Sequence, residues 1–196
     1  MGHRALLAYR REGDDERDDT DPADSDGDTT DSTDAADDGP ATYDLHRSHW
    51  GGADFALANR LTAESPYAAD TPFAVDPSPV ATDRSLSHIA ANALDFLHHE
   101  AFYRVEIDYE TTPFHVLWFG LEADSDTVER SETVGHGALV EARPEEDDRF
   151  SGWFCGTKAV VGDAVDWGAL SREEAAEYLA RRVETRADDR TVILPD

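Results

Sequence analysis

Gly2-His3-Arg4-Ala5-Leu6-Leu7-Ala8-Tyr9-Arg10 decides the fold. Leu6 and Ala8 fall on one face of an extended chain, and Ala5, Leu7 and Tyr9 on the other. A strand apolar on both faces belongs inside a sheet rather than at its edge. Its natural partner is Thr42-Tyr43-Asp44-Leu45-His46-Arg47-Ser48-His49-Trp50. There Tyr43, Leu45, Arg47 and His49 share one face, and Asp44, His46, Ser48 and Trp50 the other. The two read as an N-terminal β-hairpin whose turn is replaced by a long acidic stretch.

That stretch, Glu12–Asp38, holds Asp, Thr, Ser, Gly and Ala with almost no apolar side chain. It cannot repay the entropy of ordering, so residues 12–41 are expected to be a disordered acidic insertion within one domain, 1–196. Asp24-Ser25-Asp26-Gly27-Asp28 has the Asp spacing of a calcium loop. The loop also requires glycine at its sixth position and glutamate at its twelfth, where this chain has Thr29 and Ala35. A solvated tether is the better reading.

The remaining chain alternates runs of strands with runs of helix. Ala53–Leu61 reads as a short helix, and Glu64–Ala81, with four prolines, as a loop. A helix capped by Asp83 or Ser85 runs to about Glu100. Strands follow at 102–109, 114–119, 137–142 and 150–154. A short helix covers 157–165, and a capping box, Ser171 with Glu174, opens an amphipathic helix to about Arg186. Thr191–Leu194 is a last strand. Strands in runs and helices in pairs define an α+β fold: a mainly antiparallel sheet opened by the hairpin, with helix pairs packed on it. A layered sandwich also satisfies this order.

The formal charge of −27 comes from 44 acidic residues against 17 basic ones. Lys158 is the single lysine, and the other basic residues are arginines. Eighteen aromatic residues are enough for a packed core, which distinguishes the chain from a disordered acidic protein. An acidic, lysine-poor surface suits very high salt, where repulsion among carboxylates is screened. The same charge opposes binding to nucleic acid. One cysteine, Cys155, excludes an intrachain disulfide and a multi-cysteine zinc site, and fits a reducing cytoplasm. No apolar run reaches membrane-spanning length, and the N-terminal apolar run is too short for a signal peptide. No cofactor is expected.

Cys155-Gly156-Thr157-Lys158 stands between an aromatic strand and a helix in this reading. Helix-terminal N–H groups, a hydroxyl and a cation there could hold a small anion, with Gly156, Thr157 and Lys158 as ligands. The same setting would lower the thiol pKa of Cys155. The cluster does not meet the P-loop pattern, and the plainer reading is a helix start beside a core cysteine. His46 and His49 fall on opposite faces of a strand, so they do not form a two-histidine metal clamp. His98 and His99 read as caps at a helix C-terminus.

Two functions remain open. One is a small-ligand or partner-binding role, with a small anion or a protein as partner and Trp50, Gly156, Thr157 and Lys158 as ligand candidates. The other is a hydrolase or transferase using Cys155 with His46, His49 or His3 from the hairpin. The element order also parallels N-terminal-nucleophile hydrolases. After loss of Met1 the chain would begin with Gly2, which has no nucleophile to offer.

Met1-Gly2-His3-Arg4-Ala5-Leu6, Tyr43–Gly52, Leu117–Glu122 and Gly152–Val160 together resemble an uncharacterised haloarchaeal domain family of unknown function. The resemblance covers most of the chain outside Glu12–Asp38, and that long insertion departs from the family's short turn. It implies no activity, substrate or catalytic residue.

Overall fold

A computed structural model describes residues 2–11, 41–121, 132–143 and 147–195. Seven strands form one sheet in the order β3-β2-β1-β4-β5-β6-β7. They are β1 (Arg4–Arg10), β2 (Tyr43–Ser48), β3 (Ala81–Arg84), β4 (His99–Val105), β5 (Thr111–Trp118), β6 (Gly137–Glu141) and β7 (Val192–Ile193). The helices are α1 (Leu86–Asn92), α2 (Asp147–Asp166) and α3 (Arg172–Ala187). The fold is α+β.

The hairpin is present. β1 and β2 pair antiparallel from Ala5↔Ser48 to Arg10↔Tyr43, and the Arg11 N–H donates to the Thr42 carbonyl at 2.9 Å. The acidic stretch expected to be disordered lies almost wholly outside the described residues.

The mainly antiparallel sheet is corrected to a mixed one. After β2 the chain passes through β3 and α1 and returns on the far side of β1, where β4 runs parallel to it. Such a return requires a long crossover, which residues 49–98 supply. β1 is thereby the inner strand that its two apolar faces require. β4, too, is an inner strand: Ala101, Phe102, Tyr103 and Val105 are all buried.

On one face Leu6, Ala8, Leu45, Phe102, Phe114, Leu139 and Ile193 form a core with Ile89, Ala90 and Leu94. This core runs from β2 to β7, and α1 touches β7, so the sheet curls around α1. The other face is divided. Ala5, Leu7, Ala101 and Tyr103 pack on Leu57, Leu61, Ala68 and Val75 from the loop region. Leu117, Ala138 and Val140 pack on α2 and α3 through Phe154, Val161, Leu179 and Val183.

Gly51 and Gly52 end the hairpin under close constraint. A Cβ on Gly51 would collide with Leu57, and one on Gly52 with the Arg4 backbone. Tyr103 Oη donates to the Gly51 carbonyl at 2.5 Å, and the Gly52 N–H to the His3 carbonyl at 2.9 Å.

Three helical expectations are corrected. The expected 53–61 helix is a 3₁₀ turn at Ala53–Phe55, with Asp54 and Phe55 at φ 48° and 51°. The helix capped by Ser85 ends at Asn92 rather than near Glu100, because Asp95 turns the chain into β4. The strand at 150–154 and the short helix at 157–165 are one continuous helix, α2. The capping box at Ser171 forms: its side chain accepts from the Glu174 N–H at 3.1 Å, and its own N–H donates to Glu174 at 2.8 Å.

Candidate functional site

The continuity of α2 removes the basis of the site expected at Gly156-Thr157-Lys158. These residues lie inside a helix, where backbone N–H groups are spent on the preceding turn rather than aimed at a ligand. Thr157 Oγ1 donates to the Trp153 carbonyl one turn back, at 2.9 Å. Lys158 Nζ donates to the Trp118 carbonyl at 3.0 Å. Cys155 is exposed, and no hydrogen bond links it to a histidine among the described residues.

The hairpin candidates separate. His46 is buried; its Nδ1 lies 2.9 Å from the Asp76 carbonyl, and its ring meets the Tyr9 ring edge-on at 5.0 Å. That is a satisfied core histidine. His3 pairs with Glu100 at 2.6 Å, and its ring lies 6.0 Å from that of Trp50. His49 lines a cavity.

That cavity, of about 380 Å³, is lined by Arg4, Ala5, Arg47, Ser48, His49, Asp95, His98 and His99. The sequence builds it from three strand ends. Arg47 and Ser48 close β2, and His49 follows as the chain bends away. Arg4 opens β1, and the register shift between Arg4 and Ala5 sets it opposite His99, the first residue of β4. The Asp95 turn holds the two histidines. Its Oδ1 accepts from the Leu97 and His98 N–H groups at 3.0 and 3.1 Å, and its Oδ2 lies 2.8 Å from His98 Nδ1. His99 Nδ1 lies 3.0 Å from the Asp95 carbonyl, to which it donates when protonated, and 3.1 Å from the Asp95 backbone nitrogen, from which it accepts when not.

The electrostatics run against the chain as a whole. Arg10, Arg11, Arg104 and Arg143 each pair with a carboxylate. Arg4 and Arg47 make no such pair among the described residues. Burial depresses the His99 pKa; the Asp95 contacts oppose this, while Arg47 and Arg4 reinforce it. Burial pushes Asp95 up, but hydrogen bonds from His98, Leu97 and Thr133 outweigh it and hold the carboxyl below its ordinary pKa. Asp95 is therefore charged and already engaged by His98, and both guanidiniums remain available.

Arg47 also lines a neighbouring cavity of about 330 Å³, with Arg84, His88 and Asn92 around an apolar wall of Leu6, Leu45 and Ile89. A third cavity, of about 230 Å³, differs in having carboxylates in its wall: Asp188 and Asp189 line it beside Arg143, Arg149, Arg186 and Arg190. There Arg143 holds Asp189 at 2.8 Å, and the Arg190 guanidinium lies 5.0 Å from the Phe150 ring centroid. No group of three or more His, Cys, Asp or Glu suited to a metal occurs among the described residues.

The sequence reading missed Arg4, Arg47, Asp95, His98 and His99 as a group. One signal was present. Residues 2–11 and 41–53 contain a single acidic residue, Asp44, in a chain that carries 44. Acid-poor strands carrying arginines mark the place where a cationic cavity can persist.

The molecule is thus an α+β protein with a curled mixed sheet and a cationic cavity at the open end of its N-terminal hairpin. Residues 69–194 match the model of the family of unknown function DUF6735, and the chain belongs to that family. The matched span includes Asp95, His98 and His99; β1 and β2, which carry Arg4 and Arg47, precede it. No curated protein and no solved structure matches the chain.

Proposed function

We propose that the protein binds a small anion in the cavity lined by Arg4 and Arg47. One observation carries this reading: two guanidiniums without ion-pair partners among the described residues share a concave site in a chain of charge −27. Guanidinium presents paired N–H donors that match carboxylate and phosphate oxygens. His98 and His99 add ring nitrogens at the same wall. The adjoining cavity, with its apolar side, suits the carbon portion of an organic acid or phosphate ester.

The net charge does not forbid an anion if the protein works in concentrated salt, as the acidic, lysine-poor composition supports. There the Debye length is about 3 Å, so distant carboxylates are screened and the nearest arginines dominate. A polyanion such as nucleic acid would still meet the acidic surface around the site. A Cys155-dependent hydrolase or transferase would need a histidine at the thiol; Cys155 lies on α2, and among the described residues no hydrogen bond joins it to one.

The test is calorimetric titration with inorganic phosphate, citrate and a sugar phosphate at fixed ionic strength. Wild type should bind at least one of them. Arg47→Ala should weaken that binding about ten- to hundred-fold, the loss of one charge-assisted contact. No binding by wild type, or equal binding by the variant, overturns the proposal.

A further inference from the structure

The exposed side of α2 contradicts the rest of the surface. From Arg149 to Gly162 there is no acidic residue, while the chain as a whole carries 44. Gly152, Cys155, Gly156, Ala159 and Val160 recur at helical spacing and are all exposed. Val160 is 68 % exposed and Trp167 82 %. Gly152, Gly156 and Val160 border a trough of about 480 Å³ between α2 and α3, flanked by Tyr178 and Arg182. A Cβ built on Gly152 or Gly156 would meet nothing within 4 Å, so the fold does not require glycine at either position.

We infer that this face binds the α2 of a second copy of the chain, antiparallel, about a two-fold axis at Gly156. A single operation satisfies three independent features. Gly156 faces its own counterpart and lets the helices approach closely. Gly152 of one copy faces Val160 of the other, an unfilled site against an exposed knob. Arg149 faces Asp163, seven residues on either side of the axis and therefore on the same helix face. Arg149 and Asp163 are both exposed, and neither has an ion-pair partner among the described residues. A foreign partner would need to supply its own valine and carboxylate at these offsets; a second copy carries them already. The acid-free strip is also where two chains of charge −27 can meet without opposing carboxylates. This face lies on α2, away from the arginine cavity on β1, β2 and β4, and does not depend on it.

The experiment is light scattering coupled to size exclusion, at the lowest salt in which the full chain stays folded. Wild type should show twice the monomer mass of 21.6 kDa. Gly156→Trp places an indole on the axis and should give the monomer mass, with its circular dichroism unchanged. Arg149→Asp should raise the dimer dissociation constant at least about tenfold, and adding Asp163→Arg should restore it. Monomeric wild type at about 100 μM, well above the Kd expected of a stable interface, overturns the inference. So does a dimer that survives Gly156→Trp, or a charge reversal that the second change fails to rescue.

Discussion

Lys158, the single lysine of the chain, donates to the Trp118 carbonyl at 3.0 Å and lies 4.2 Å from the centroid of the Trp118 ring. One residue thereby ties α2 to the end of β5. The guanidinium of an arginine is broad and planar, whereas a compact ammonium can serve a carbonyl and an indole face together. Trp118 is fixed in turn, its Nε1 donating to the Glu132 carbonyl at 2.9 Å.

Removing that tie should cost stability. A charge-assisted hydrogen bond and a cation–π contact are together worth about 1–3 kcal/mol when partly buried. Lys158→Ala should therefore lower the melting temperature by about 2–10 °C, read by thermal denaturation. Anion binding at the arginine cavity should be unchanged. A variant as stable as wild type would show that the contact contributes nothing in solution.

The hairpin and α3 were legible for different reasons. Leu6, Ala8, Leu45 and the capping box at Ser171 are local or period-two signals, and each element appears where those signals place it. The parallel placement of β4 was not legible, because it depends on which side of β1 the chain returns, and no local pattern records that. Phe150–Phe154 read as a strand because its aromatic residues dominate; Phe150, Phe154 and Val161 instead follow the helical period into the core beneath α2. That misreading produced the false junction at Gly156-Thr157-Lys158. The cationic cavity draws on three separated segments, so it became visible only once Arg4, Arg47 and His99 were neighbours.

The histidines make stability depend on pH. Burial depresses the pKa of His99 and of His136, with Lys158 adding to the effect on His136. A base whose folded pKa lies below its unfolded value binds fewer protons when folded. Its contribution is complete above the unfolded value of about 6.5 and is lost as pH falls toward the depressed folded pKa. Unfolding free energy from urea titrations should therefore decline between pH 7 and pH 5. His99→Gln should flatten part of that decline, and an unchanged slope would remove His99 from the account. Asp95 and Asp189, whose carboxyls are held low, act in a separate window below about pH 4.

The last prediction concerns the stretch between the first two strands. Arg11 and Thr42 are hydrogen-bonded neighbours at 2.9 Å, so the ends of that stretch are already in hairpin register. Joining them through Asn-Gly supplies a two-residue turn whose twist suits the flanking strands. The deletion removes 14 acidic residues and one arginine, which is −13 of the −27. Self-repulsion falls as net charge falls, and it matters most where salt does not screen it. The shortened chain should fold, and its melting temperature should depend less steeply on potassium chloride than that of the full chain. Circular dichroism melts from dilute to molar salt measure both slopes. Equal slopes would mean that the charge on the rest of the chain, not the stretch, sets the response to salt. Loss of soluble protein would mean that residues 12–40 contribute more than charge and a connection.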